Sequence, residues 1–114
     1  MVTPSIGSVV TVPFPFSDLS QSKERPALVL AEAGYGNWIL CQITSNAYSD
    51  LLAIRVENDD FARGSLDKTS YARPGKLFTA NESLMLAEVD PLKPDVFRRI
   101  SAAVVRLLQA NVPL

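Results

Sequence analysis

Ser22-Lys23-Glu24-Arg25-Pro26-Ala27-Leu28-Val29-Leu30 joins a polar, charged start to an unbroken apolar run, with a proline at the junction. Pro26 has a fixed φ and no N–H to donate, which suits the first residue of a strand and drives Arg25 towards an extended conformation. The run from Ala27 to Ala31 is too short for an ordinary helix and is bounded by charged and glycine-containing segments, so it reads as a strand buried on both faces. Ile39-Leu40-Cys41-Gln42-Ile43 is a second such run and ends in two hydroxyls, Thr44 and Ser45. Antiparallel pairing through Glu32 to Asn37, with Gly34 and Gly36 making the turn, returns the end of the second strand to the start of the first. Arg25 and Thr44 then face each other at one rim.

The 114 residues make one domain over 1–114, long enough to bury a core without covalent staples. Apolar residues are 47% and charged residues 20%, an ordinary globular balance. Cys41 lies inside an apolar run and reads as a small buried hydrophobe rather than a nucleophile. The start of the chain has neither a basic flank nor a long apolar run, and no stretch approaches the roughly 20 residues of a membrane span. No membrane association is expected, and a reducing cytoplasm is the expected compartment.

The chain contains no histidine. That excludes hydrolases with an imidazole base, histidine-paired nucleases and histidine-bearing zinc sites, leaving acid–base work to Arg, Lys, Asp, Glu or Tyr. No metal site or cofactor is expected. A net charge of −1 argues against holding nucleic acid by bulk electrostatics, so any such site is a local patch.

In chain order, Ser8-Val9-Val10-Thr11-Val12 reads as the first strand, and Pro13 and Pro15 argue against its regular continuation. Phe14 to Ser22 reads as a long excursion, either functional or closing one end of the core with Phe14 and Phe16. After a turn from Asn46 to Asp50, Leu52-Ala53-Ile54-Arg55-Val56 predicts a fourth strand, and Glu57 to Asp60 a solvated loop. Between Arg63 and Lys76 the cations Arg63, Lys68, Arg73 and Lys76 stand against Asp67 alone, a local net of +3. Short strands around Gly64 to Tyr71 and Lys76 to Thr79 flank the turn signal Arg73-Pro74-Gly75. Leu84 to Val89 reads as a further strand or as the opening of a helix. From Pro94, the apolar positions Val96, Phe97, Ile100, Ala103, Val104, Leu107 and Leu108 have helical spacing, with Arg98, Arg99 and Arg106 outside the stripe. Several short strands and one terminal amphipathic helix predict a mainly β (α+β) chain, a small, partly open barrel with a helix closing one end.

Gly7 to Val12 leading into a loop, then Lys23-Glu24-Arg25-Pro26-Ala27-Leu28-Val29-Leu30, then Ile43-Thr44-Ser45 and a last strand and helix, resembles the MazF/PemK toxins of bacterial type II toxin–antitoxin systems. The similarity runs from about Gly7 to Leu108. It implies an SH3-like barrel of the CcdB/MazF type, a homodimer, and a metal-independent endoribonuclease that cleaves single-stranded RNA and is neutralised by a cognate antitoxin. By position, Arg25 and Thr44 match the family's active-site arginine and threonine, and Ser45 the adjacent hydroxyl. Asp67 falls where many members have an active-site aspartate. The arginine that some members carry two residues earlier is Ser65 here.

The chemistry fits those residue types. Attack by the RNA's own 2′-OH needs a proton acceptor, stabilisation of charge on the non-bridging phosphate oxygens, and a donor to the leaving 5′-oxygen. The guanidinium of Arg25 matches two phosphate oxygens, Thr44 adds a hydrogen bond, and Asp67, the only acid in the basic segment, is the candidate base. Ser45, Lys23, Lys68, Arg73 and Lys76 are the candidate RNA-binding residues, and Tyr48, Tyr71 or Phe16 offer stacking faces unless they belong to the core. Plainer roles stand beside these: a rim ion pair of Arg25 with Glu24 or Asp18, Thr44 capping a strand end, and an ion pair of Asp67 with Lys68 or Arg73. The rival function is a non-enzymatic toxin that binds and poisons a protein such as gyrase, with Arg25 as an interface residue.

Overall fold

In chain order the strands are β1 (Ser8–Pro15), β2 (Ser22–Gly34), β3 (Asn37–Thr44), β4 (Ile54–Val56), β5 (Ser70–Asn81) and β6 (Ala87–Pro91), followed by helix α1 (Pro94–Ala110). The computed structural model describes residues 3–15 and 22–113, so Phe16 and Asp18 lie outside the described residues. The six strands form one antiparallel sheet in the order β4-β5-β3-β2-β1-β6, a half-barrel with the helix against it. Its two edges come together through the segments that follow them. Phe61, after β4, bridges Leu92, after β6, and Ala62 N–H and Lys93 N–H donate to Pro91 O and Asp60 O at 2.8 Å each. No described helix is long and apolar enough to cross a membrane.

The central pair is β2 with β3, in the register Ala27 opposite Gln42 and Leu28 opposite Cys41. Alternation along these strands feeds two apolar clusters, as expected of a strand buried on both faces. Leu28, Cys41 and Ile43 join Val9, Val56, Phe61, Ala72, Leu92, and Val96 and Ile100 of the helix. Ala27, Val29 and Leu40 join Val10, Val12, Trp38, Ala80 and Met85 on the other face. The hairpin turns at Tyr35-Gly36, both at positive φ (56° and 77°), the left-handed pair that a two-residue turn between twisted strands requires. Gly34, expected in the turn, ends β2 beside a register shift.

Besides the start of β2, which lies at Ser22 and leaves Arg25 and Pro26 inside the strand opposite Val12 and Thr11, four expectations need correction. Residues 13 to 15 continue β1 despite two prolines, pairing Pro13 with Glu24 and Pro15 with Ser22. The Thr11 carbonyl faces the β6 side, accepting from Leu86 N–H, and β6 pairs only as far as Thr11. Alternation turns the missing N–H of Pro13 and Pro15 towards that same unpaired side, where none is needed. Secondly, Arg73-Pro74-Gly75 is no turn between two strands. It lies within β5 as a bulge, Arg73 to Lys76 opposite Gln42 alone, while residues 64–69 are not strand. Thirdly, the fourth strand begins at Ile54 rather than Leu52. Fourthly, Leu84 ends a 3-10 turn (Glu82–Leu84) and the last strand starts at Ala87.

The helix follows its sequence pattern: Val96, Ile100 and Val104 are buried, Arg98, Arg99 and Arg106 are exposed, and Pro94 opens the first turn. Leu108, placed on the stripe by spacing, is exposed. Ile100 is fully buried between helix and sheet. Ile100→Ala should therefore destabilise the fold by about 2–5 kcal/mol, read from urea unfolding monitored by Trp38 fluorescence.

Candidate active site

Continued by two residues past Ala27 and Gln42, the β2–β3 register sets Arg25 opposite Thr44. Thr44 is opposite Tyr71 on β5, and Tyr71 is opposite Arg55 on β4. A single row, Arg25-Thr44-Tyr71-Arg55, therefore crosses four strands on the face opposite Ile43 and Ala72. With strands about 4.8 Å apart, Arg25 and Arg55 stand about 14 Å from each other along it.

A cleft of about 290 Å³ opens at the Arg25 end, lined by Glu24, Arg25, Pro26, Ile43, Thr44, Ser45, Leu66, Lys68 and Ser70. It thus gathers two cations, a carboxylate and several hydroxyls at the rim, beside the apolar residues Pro26, Ile43 and Leu66. The Thr44 hydroxyl is held by its own loop, donating to Asn46 O at 3.1 Å and accepting from Asn46 N–H at 3.2 Å. This is the strand-end cap that its sequence position allows, and the same bonds fix the rotamer with which it faces the cleft.

Of the sequence candidates, the structure brings Arg25, Thr44, Ser45 and Lys68 together in this cleft. Asp67 stands next to it. It lines a neighbouring depression of about 410 Å³ with Glu57, Asn58, Asp59, Lys68 and Thr69, and Lys68 forms the wall between the two. Asp67 sits at positive φ (60°) and accepts from the Ser65 hydroxyl at 2.9 Å, so Ser65 orients it. Lys76 is exposed in the β5 bulge and does not line the cleft, and the side chain of Lys23 lies outside the described residues.

Arg73 has a different occupation. Its Nε donates to Asp50 Oδ2 at 2.7 Å and its Nη1 to Gln42 Oε1 at 3.2 Å, with both ion-pair partners largely shielded. It locks the β5 bulge to the loop that follows Thr44. Cys41 sits under the same bulge, donating to Arg73 O at 3.2 Å, and burial pushes its thiol up to about 11, which makes it inert at neutral pH. Sequence reasoning missed Glu24 and Leu66 as cleft residues and Arg55 as the end of the row. Glu24, beside Arg25, was readable only as its ion-pair partner, and nothing local ties Leu66 or Arg55 to the rim.

Comparison with known proteins agrees with the fold. A model of the family of PemK-like, MazF-like toxins of type II toxin-antitoxin systems matches residues 5–108, and the chain belongs to that family. No curated protein sequence matches it significantly. Among solved structures, it resembles an endoribonuclease in complex with its cognate antitoxin from a mycobacterial species at 15% identity, over 99% of this chain and 100% of that chain, with a TM-score of 0.70. It resembles the MazE-MazF complex of Deinococcus radiodurans at 20% identity, over 96% and 98% of the two chains, with a TM-score of 0.73. MazF of the same organism gives 22% identity, 96% and 99% coverage and a TM-score of 0.69. At such identities the likeness is one of fold.

The Asp50–Arg73 pair sets an expected acid response. The Arg73 guanidinium, with the Leu52 N–H, holds the Asp50 carboxyl below the ordinary carboxylate range. A pKa lower in the folded than in the unfolded chain gives stability that is full above about pH 4 and lost as pH falls through the folded value. Asp50→Asn should cost about 1–3 kcal/mol near pH 7, and the gap to the wild type should narrow as pH falls below about 4 towards the lowered folded value. Urea midpoints across that range measure it.

Proposed function

We propose that this chain is an endoribonuclease toxin that cleaves single-stranded RNA without a metal, by attack of the RNA's own 2′-OH. The observation that carries the reading is the meeting of Arg25 and Thr44 in one cleft, within a chain that belongs to the MazF/PemK family. Structural relatives named as endoribonucleases support it. Among the described residues no three His, Cys, Asp or Glu side chains group to hold a metal ion.

In this scheme Arg25 binds the non-bridging oxygens of the scissile phosphate, with Lys68 adding charge and Ser45 donating a hydrogen bond, and Thr44 donates once its hydroxyl hydrogen turns from Asn46 O to the phosphate. The 2′-OH gives its proton to a carboxylate as its oxygen bonds to phosphorus. The bond from phosphorus to the 5′-oxygen breaks, and that oxygen takes a proton from solvent water. The products are a 2′,3′-cyclic phosphate and a 5′-hydroxyl. Glu24, which lines the cleft with Arg25, takes the base role in this scheme in place of Asp67, which lines the neighbouring depression. In the same reading a homodimer is the functional unit and an antitoxin neutralises it by covering the cleft; relatives in complex with an antitoxin support the existence of such a partner.

Purified protein incubated with a long single-stranded RNA should generate new ends in EDTA as readily as in magnesium. Arg25→Ala should lower the rate about 10²–10³-fold with the circular dichroism spectrum unchanged, and Thr44→Val less. Glu24→Gln should cost about 10²–10⁴-fold and Asp67→Asn clearly less, the reverse order handing the base role to Asp67. A strict need for a divalent ion, or wild-type rates in Arg25→Ala, would remove the proposed site.

A further inference from the structure

Next to the Arg25 cleft, and sharing Ser45 with it, lies a second depression of about 360 Å³ lined by Ser45, Asn46, Ala47, Tyr48, Asp50, Ala53 and Tyr71. We propose that it is a nucleobase subsite, in which Tyr48 and Tyr71 stack a base of single-stranded RNA beside the phosphate held at Arg25. The inference rests on the endoribonuclease reading for the identity of its ligand.

Position comes first. Tyr71 is the cross-strand neighbour of Thr44, so its side chain leaves the sheet on the same face, one strand spacing from the proposed reacting phosphate. A strand of RNA crossing the row from Arg25 towards Arg55 passes over it. The Arg55–Glu57 ion pair at that far end is solvent-exposed, 3.1 Å long, and yields to a phosphate at little cost.

The second observation is Tyr48 itself. Tyr48 is 86% exposed, so it contributes nothing to the core, yet its backbone is held in the left-handed region at φ 52°, unfavourable for an aromatic residue. The loop is built to keep it there. Thr44 Oγ1 bonds both backbone groups of Asn46, Asn46 Oδ1 accepts Tyr48 N–H at 2.9 Å, and Asp50, which ends the turn, is anchored by Arg73. The hydroxyl assigned to catalysis thus starts the chain of bonds that presents the tyrosine.

Chemistry selects the ligand. Two aromatic faces beside a small polar depression suit a planar heterocycle with acceptors on its edge, for which the Ser45 hydroxyl and the Asn46 NH₂ are donors. Asp50 does not repel the nearby phosphate because Arg73 neutralises it. Stacking is tolerant of base identity, so the subsite adds affinity and order more than sequence reading.

The test uses fluorescence anisotropy with two labelled 12-nucleotide probes at one salt concentration: mixed-sequence 2′-O-methyl RNA, which cannot be cleaved, and an abasic oligomer of the same length. The wild type should bind the base-bearing probe about tenfold or more tightly than the abasic one. Tyr48→Asn, which suits the left-handed backbone, should keep or raise thermal stability while losing about tenfold in affinity for the base-bearing probe only. Tyr71→Phe should bind as the wild type and Tyr71→Leu should not. Equal binding of both probes by the wild type, or an unchanged affinity in Tyr48→Asn, would overturn the subsite. Base-dependent binding lost in Tyr48→Asn, in a protein that cleaves no RNA, would instead retain the subsite and remove the cleavage reading. Arg25-dependent cleavage with tyrosine-independent binding would do the opposite.

Discussion

The antiparallel pairing of β2 with β3 is the constraint from which both the fold and the site follow. Leu28, Cys41 and Ile43 face one cluster and Ala27, Val29 and Leu40 the other, all fully buried. A slip of one residue would exchange the two sets and mismatch both cores at once, so the register is strongly specified. Arg25 and Thr44 lie just beyond the last buried pair on the same two strands. Their meeting is a consequence of core packing, and the core can be varied in volume without moving them only if the register survives.

The second determinant is polar. Three extra residues in β5 force the chain out of the ladder opposite Gln42, and the bulge carries Arg73 to Asp50. This bulge offsets the loss of ladder hydrogen bonds with a shielded, charge-assisted pair and with the Cys41 thiol donating to the Arg73 carbonyl. It also ties the loop after Thr44 to the sheet, so that Asn46, Tyr48 and Asp50 hang from one rigid anchor. A side chain that composition alone would assign to RNA acts here as the support of the loop beside the site.

An overall charge of −1 and a cationic cleft are compatible because charge acts locally. Arg25 and Lys68 line one concavity, while Glu57, Asp59 and Asp67 line the next. Such a division favours an anion in the first and disfavours it in the second, which gives a bound strand a direction of approach. In the proposed scheme Lys68, as the wall between them, feels both.

How much of this was legible without coordinates follows from the range of each signal. Alternating or continuous apolar runs and the helical stripe from Val96 are local patterns, so the sequence by itself determined β2, β3, α1, the barrel class and, through the Arg-Pro junction and the Thr-Ser end, the facing pair Arg25 and Thr44. The prolines at 13 and 15 misled because their cost depends on whether a neighbouring strand is present on that side, which is a property of β6. Arg73-Pro74-Gly75 misled because a bulge and a turn share the same local chemistry and differ only in whether β3 continues past them. The pairing of Arg73 with Asp50, the position of Asp67 outside the Arg25 cleft, the entry of Glu24 into it, and the row that ends in Tyr71 and Arg55 were decided by tertiary structure alone. Each depends on which distant strand lies alongside and in what register, and short-range sequence patterns carry no record of that.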